Sequence, residues 1–212
     1  MRLKKRQRKS NSSDRSNERL GVSIDLAVQS IQQGRIVAFP TETYYGLAVD
    51  PQNETAVELL YNIKKRPVNK PLLLLIDEVG KLEGLTRETP QEFGPLMKKF
   101  WPGPLTLIFP AADSVNPIVT AGTGTVGIRI SPHPIAAQLV NSYGSAITAT
   151  SANTSGLTPA RTAHEVAAIF GDKIDYILDG GSTAAGLCST IVSVHEKKLH
   201  VIRQGQIDIF SS

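Results

Sequence analysis

Ile24, Ala27, Val28 and Ile31 recur at three- and four-residue spacing between Ser23 and Gly34, which predicts a helix over residues 24–33 with one apolar face. The next apolar stretch, Ile36-Val37-Ala38-Phe39, is unbroken and of strand length, and Pro40 ends it. A second strand is predicted over Tyr44–Val49, with Gly46 permitting a close approach by backbone or ligand. Helical spacing returns at Ala56, Val57, Leu60 and Ile63 behind an Asn53 cap, giving a helix over Glu54–Lys65 that Pro67 stops before strand Leu72–Ile76.

The same alternation continues to the C-terminus. Thr89-Pro90-Gln91-Glu92 reads as a capping box opening a helix to about Phe100, and Trp101-Pro102-Gly103-Pro104 as a rigid corner before strand Leu105–Phe109. Val126–Ile130 is a strand, and Ser131-Pro132-His133-Pro134 turns into a helix ending near Asn141. Ala146–Ala149 is a buried strand, and Thr162-Ala163-His164-Glu165 a second capping box for a helix to Phe170. Asp175–Leu178 is a short strand, and Ile191–Val194 pairs with Leu199–Ile202 as a hairpin. Buried strands alternating with amphipathic helices define an α/β domain.

Charge divides the chain. Residues 1–19 hold eight Lys or Arg against two Asp or Glu, whereas the remainder holds fifteen against seventeen. The body is therefore nearly neutral, and residues 1–21, poor in apolar side chains, are expected to be a disordered basic tail before a single domain over 22–212. Such a tail can lean on RNA electrostatically or serve only as a solubilising extension. One cysteine, Cys188, allows no intramolecular disulfide, and no apolar run or leader marks a membrane or secretory protein. A cytoplasmic location is the expectation.

Four stretches carry candidate chemistry. Lys64, Lys65, Arg66 and Lys70 cluster at a helix-to-strand corner, suited to a polyanion such as a triphosphate or to a solvated helix end. Thr41 and Thr43 lie in a turn at a strand end, where α/β folds place ligands. Arg129 stands in a strand otherwise made of Val, Gly and Ile, so if buried it needs an acid; a protein carboxylate and a substrate carboxylate both answer that need. Thr150-Ser151-Ala152-Asn153-Thr154-Ser155-Gly156 offers neutral donors suited to phosphate, ribose or carboxylate groups. His133 between prolines reads as structural, and Cys188 has no neighbour to activate it. The Ala121–Thr125 loop lacks the ending of a P-loop, and no Cys/His metal spacing is present.

In order, Pro40-Thr41-Glu42-Thr43-Tyr44-Tyr45-Gly46-Leu47, Lys64-x-Arg66-Pro67 with Lys70-Pro71-Leu72, Trp101-Pro102-Gly103-Pro104-Leu105-Thr106, Arg129 with His133-Pro134, Ser151-Ala152-Asn153-x-Ser155-Gly156, Ser189-Thr190-Ile191 and Arg203-Gln204-Gly205 resemble the YrdC-like threonylcarbamoyl-AMP synthases, over about residues 22–207. The resemblance implies a twisted mixed sheet flanked by helices, with a large concave cleft. It implies condensation of L-threonine, bicarbonate and ATP to threonylcarbamoyl-adenylate and pyrophosphate, with Mg²⁺ accompanying ATP. A partner threonylcarbamoyl transferase complex would then modify tRNA. On this resemblance Lys64 and Arg66 act on the ATP phosphates, with Lys70 beside them. Ser151, Asn153 and Arg203 contact the nucleotide, while Arg129 holds the threonine carboxylate in a pocket completed by Thr41, Thr125, Ala149 and Ser189. Cys188 departs from the polar residue expected before Ser189, and Ala48 replaces a frequent glycine. Two other readings stay open: an RNA-binding module without turnover, and a carbamoyl-transfer paralogue of the same fold.

Overall fold

Each unbroken apolar run becomes a strand buried on both faces, and such strands require covering layers on either side. The computed structural model describes residues 19–184 and 186–211. In chain order the elements are β1 (Leu20–Gly21), α1 (Ile24–Gln32), β2 (Val37–Pro40), β3 (Tyr45–Ala48), α2 (Glu54–Lys64), β4 (Leu73–Ile76), α3 (Phe93–Phe100), β5 (Leu105–Pro110), α4 (Pro117–Thr120), β6 (Thr125–Ile130), α5 (Pro134–Tyr143), β7 (Ile147–Thr148), β8 (Thr150–Ser151), α6 (Ala163–Phe170), β9 (Tyr176–Leu178), β10 (Thr190–His195) and β11 (Lys198–Arg203). Short 3-10 turns cover Val79–Gly84 and Gly171–Lys173.

The strands form two mixed sheets, not one. The first runs β1-β9-β2-β3-β8 and the second β11-β10-β5-β6-β4-β7. The segment expected as one strand over Ala146–Ala149 is where they meet. β7 pairs with β4 in the second sheet, β8 pairs with β3 in the first, and Ala149 between them donates its N–H to Leu73 O at 2.9 Å. Strand alternation sends Val37, Phe39, Ala48 and Leu75 toward α1 and α5, while Ala38, Leu47, Leu74 and Ile76 pack on the other side with α2.

Local capping sets the helix starts. Ser23 Oγ accepts from Leu26 N–H at 3.3 Å, and Asn53 Oδ1 from Ala56 N–H at 3.1 Å, as the sequence predicts. Thr162 Oγ1 accepts from Glu165 N–H at 3.1 Å; Thr162→Ala is expected to cost about 1 kcal/mol in urea unfolding. The box at Thr89 does not operate. Phe93 and Gly94 donate three residues back, to Pro90 O and Gln91 O, so residues 90–93 form a tight turn and α3 begins at Phe93. Helix α4, capped by Asn116, is too short to leave a periodic signal. Leu20 and Gly21, assigned to the tail, pair with Ile177 and Leu178; residues 1–18 of that tail lie outside the described residues.

Candidate active site

The junction of the two sheets encloses a cavity of about 180 Å³. Strand parity supplies one wall. Thr106 and Ile108 on β5, Gly127 and Arg129 on β6, Ser189 just before β10 and Ile191 on it all face it. The turn after β2 adds Thr41 and Thr43, the β7–β8 crossing adds Ala149 and Ser151, and the segments after α2 and β11 add Arg66 and Arg203. Seven of the residues predicted for the site thus share one cavity: Thr41, Arg66, Arg129, Ala149, Ser151, Ser189 and Arg203.

Arg129 is 3% exposed, and of the two answers to its need for an acid the structure shows the protein carboxylate, Glu42. Its Nη1 donates to Glu42 Oε1 at 2.7 Å and to Thr43 Oγ1 at 3.4 Å. Glu42 Oε2 in turn accepts from Ser131 Oγ. Among the described residues, Nε has no partner and Nη2 makes no hydrogen bond. Nε–H and Nη2–H form one edge of the guanidinium fork, the edge that takes a carboxylate bidentately. Burial pushes Arg129 below the usual guanidinium range, Glu42 opposes that, and the Arg203 charge adds to it.

Arg66 is held differently. Its Nε and Nη2 donate to Lys70 O and Pro71 O at 3.1 and 2.7 Å, so the Pro67–Pro71 turn fixes the guanidinium in the cavity wall. Burial and the nearby Arg203 charge lower it too, with Tyr61 opposing. Arg203 donates from Nη2 to Ser189 O at 2.8 Å and Ser189 Oγ at 3.1 Å. Gly205 makes this grip possible: a Cβ there would lie 2.2 Å from Cys188 O and 2.5 Å from Ser189 C. Three guanidinium groups border one small space, and among the described residues its wall carries no carboxylate. Such a wall suits phosphate and carboxylate oxygens and does not fit a bare divalent cation, so the Mg²⁺ expected with ATP finds no protein ligand set there.

Four predicted contacts are not in that wall. Lys64 is 1% exposed, and its Nζ donates to Ser151 O, to Asn153 O at 2.8 Å and to Asn153 Oδ1 at 3.3 Å. Its carbonyl accepts from Ser155 N–H at 2.8 Å. Lys64 therefore holds the 151–155 loop from behind and has no donor left for phosphate. Burial, and then the Arg66 charge, push its ammonium down to about 7. Asn153 is consumed as well: Oδ1 accepts from Ser151 Oγ at 2.7 Å and Nδ2 donates to Leu157 O at 2.6 Å. The Lys70 side chain is exposed outside the wall, while its carbonyl accepts from Tyr61 Oη at 2.9 Å. Thr125 has the same parity as Arg129 but sits four residues up β6, roughly 13 Å away at strand rise. It lines a second concavity of about 650 Å³ that shares Ile108 with the first.

Sequence reasoning missed Glu42, Ser131, Thr106 and the placement of Cys188. Glu42 had a signal, since the strand arginine required a carboxylate and Glu42 stands between two candidate threonines. Thr106 Oγ1 and Ser189 Oγ lie 3.0 Å apart, and nothing local announces that pair. Cys188 lines the cavity beside Ser189. His133 caps no backbone group with its side chain, and its buried Nδ1 has no partner among the described residues.

The profile of the Sua5/YciO/YrdC family, described as "Telomere recombination", matches residues 29–205. A protein of Bacillus subtilis named threonylcarbamoyl-AMP synthase is 42% identical over 87% of this chain and 54% of its own length. One of the same name from Vibrio parahaemolyticus is 34% identical over 86% of this chain and 99% of its own. A solved structure of Pyrococcus abyssi Sua5 complexed with L-threonine matches with a TM-score of 0.83 at 41% identity, covering 86% of this chain and 54% of that one. The chain spans about half the length of the Bacillus and Pyrococcus proteins. With a profile match over most of its residues and a relative of its own size, the chain belongs to the Sua5/YciO/YrdC family.

Proposed function

We propose that the chain condenses L-threonine, bicarbonate and ATP to threonylcarbamoyl-adenylate, releasing pyrophosphate. The observation that carries this reading is Arg129, whose buried Nε has no partner among the described residues, lining a cavity also bordered by Arg66 and Arg203. One carboxylate-sized acceptor fits the first, and anionic phosphates fit the other two. The names of the full-length Vibrio relative and of the threonine-bound Pyrococcus structure support the same reaction.

In this mechanism Arg129 holds the threonine carboxylate, and Thr41, Ser189 and the Ala149 carbonyl surround the rest of the amino acid. The amine and bicarbonate give a carbamate with loss of water. A carbamate oxygen then attacks the α-phosphorus of ATP, and the bond to the bridging oxygen of pyrophosphate breaks. Negative charge develops on the phosphoryl and leaving oxygens, and Arg66 and Arg203 stabilise it without any covalent enzyme intermediate. Ser151 contacts the nucleotide from a loop that Lys64 and Asn153 keep rigid. A cavity of about 180 Å³ is smaller than the ~300–1,000 Å³ usual for such ligands, so part of the nucleotide lies outside it.

The adenylate is a mixed anhydride, and a separate transferase consumes it to form N6-threonylcarbamoyladenosine in tRNA, in the cytoplasm. Among the described residues, no helix is long and apolar enough to cross a membrane. The basic residues at the N-terminus supply a further contact with tRNA. Pyrophosphate release from ATP should fall at least tenfold when either threonine or bicarbonate is omitted. Release that persists unchanged without threonine overturns the assignment.

A further inference from the structure

We infer that Glu42 is a positioning residue for amino-acid recognition: it fixes the Arg129 fork so that the Nε/Nη2 edge, and no other, meets the substrate carboxylate. The inference rests on the proposed role of the cavity in binding threonine. It begins with the turn between β2 and β3. Thr41 Oγ1 donates to Tyr44 O at 2.7 Å and accepts from Thr43 N–H at 3.2 Å, which closes the turn and projects Glu42 from its crest. The Glu42 side chain is only 12% exposed, and it reaches from the first sheet to Arg129 in the second.

Both carboxylate oxygens are occupied there. Oε1 takes Arg129 Nη1, and Oε2 takes Ser131 Oγ, which also accepts from His133 N–H at 3.2 Å. A carboxylate tied at both oxygens cannot swing to follow the guanidinium. The guanidinium is planar and rigid, so fixing Nη1 fixes the opposite edge as well. Glu42 and Thr43 also occupy Nη1, one of the two nitrogens that an anion taking Arg129 end-on would need. The remaining edge accepts one flat, two-oxygen group, which selects a carboxylate over the amide or alcohol of an otherwise identical amino-acid derivative.

Calorimetric titration of the full chain with L-threonine, L-threonine amide and ATP tests this. The unmodified protein should prefer L-threonine over the amide by about 100-fold, as expected for a lost charge-assisted bidentate pair. Glu42→Ala should bring that preference below about tenfold and leave ATP affinity within about threefold. Ser131→Ala, which removes the hydrogen bonds with Glu42 Oε2 and His133 N–H and keeps the buried charge pair, should reduce the preference in the same direction by a smaller factor. Glu42→Gln, which keeps an acceptor for Nη1, should recover most of the preference lost in Glu42→Ala. A preference unchanged in both Glu42→Ala and Ser131→Ala overturns the inference alone, as does an equal loss of threonine and ATP binding. An unmodified protein that binds neither threonine nor its amide overturns the threonine reading, and this inference with it.

Discussion

Arg129→Ala is expected to weaken L-threonine binding by about 100-fold or more, because truncating one side of a buried charged pair costs ~2–5 kcal/mol. ATP affinity should change by less than about threefold, since Arg66 and Arg203 remain. The same substitution strands Glu42, whose carboxylate is held by Arg129 Nη1 and Ser131 Oγ behind the cavity. Breaking a buried pair by removing one partner costs about 3–5 kcal/mol of stability. The double substitution Arg129→Met with Glu42→Gln leaves no charge unpaired, so it should recover most of that stability without recovering threonine binding. Urea unfolding and calorimetric titration read the two effects separately. Equal losses of threonine and ATP binding in Arg129→Ala would mean that Arg129 only supports the fold.

Lys64→Met should act on the nucleotide side. Asn153 O loses its donor, whereas Ser151 O keeps Asn153 N–H at 3.0 Å and Asn153 Oδ1 keeps Ser151 Oγ at 2.7 Å. One unsatisfied buried acceptor sets an expected stability loss of about 1–3 kcal/mol, with a rise in the KM for ATP and threonine binding less affected. The pH dependence gives a second readout. The Lys64 ammonium is pushed down to about 7 in the folded chain from 10.5. Between those values the unfolded chain binds the extra proton and the folded chain does not. Unfolding therefore becomes less favourable as pH rises from about 7 toward 10, and the contribution is lost as pH falls through 7. Lys64→Met should flatten that slope in urea midpoints measured across the window; a slope identical in both proteins contradicts the burial argument.

Helix starts at Ser23, Asn53 and Thr162 were legible because a cap is a contact over three residues, contained within the sequence window that predicts it. The Thr89 box failed on the same scale, since residues 90–93 favour a tighter turn over a helical one. The strand expected over Ala146–Ala149 was less tractable. Its composition is right for a buried strand, but which sheet each half joins depends on β4 and β3, about seventy and one hundred residues earlier. Lys64 shows the same limit for chemistry. The sequence identifies a cation at a helix end, and only packing against the Ser151–Asn153 loop turns that cation inward.

The sequence alone determined the α/β class, the order of the motifs, the cationic character of the site and the need of Arg129 for an acid. These depend on residue type and short spacing, which sequence records directly. Tertiary structure decided that two sheets meet at Ala149, that Glu42 reaches Arg129 across 87 positions, and that Lys64 and Asn153 support the site from behind its wall. Those outcomes follow from which buried polar groups find partners once the two sheets close, a condition that no single stretch of the chain contains.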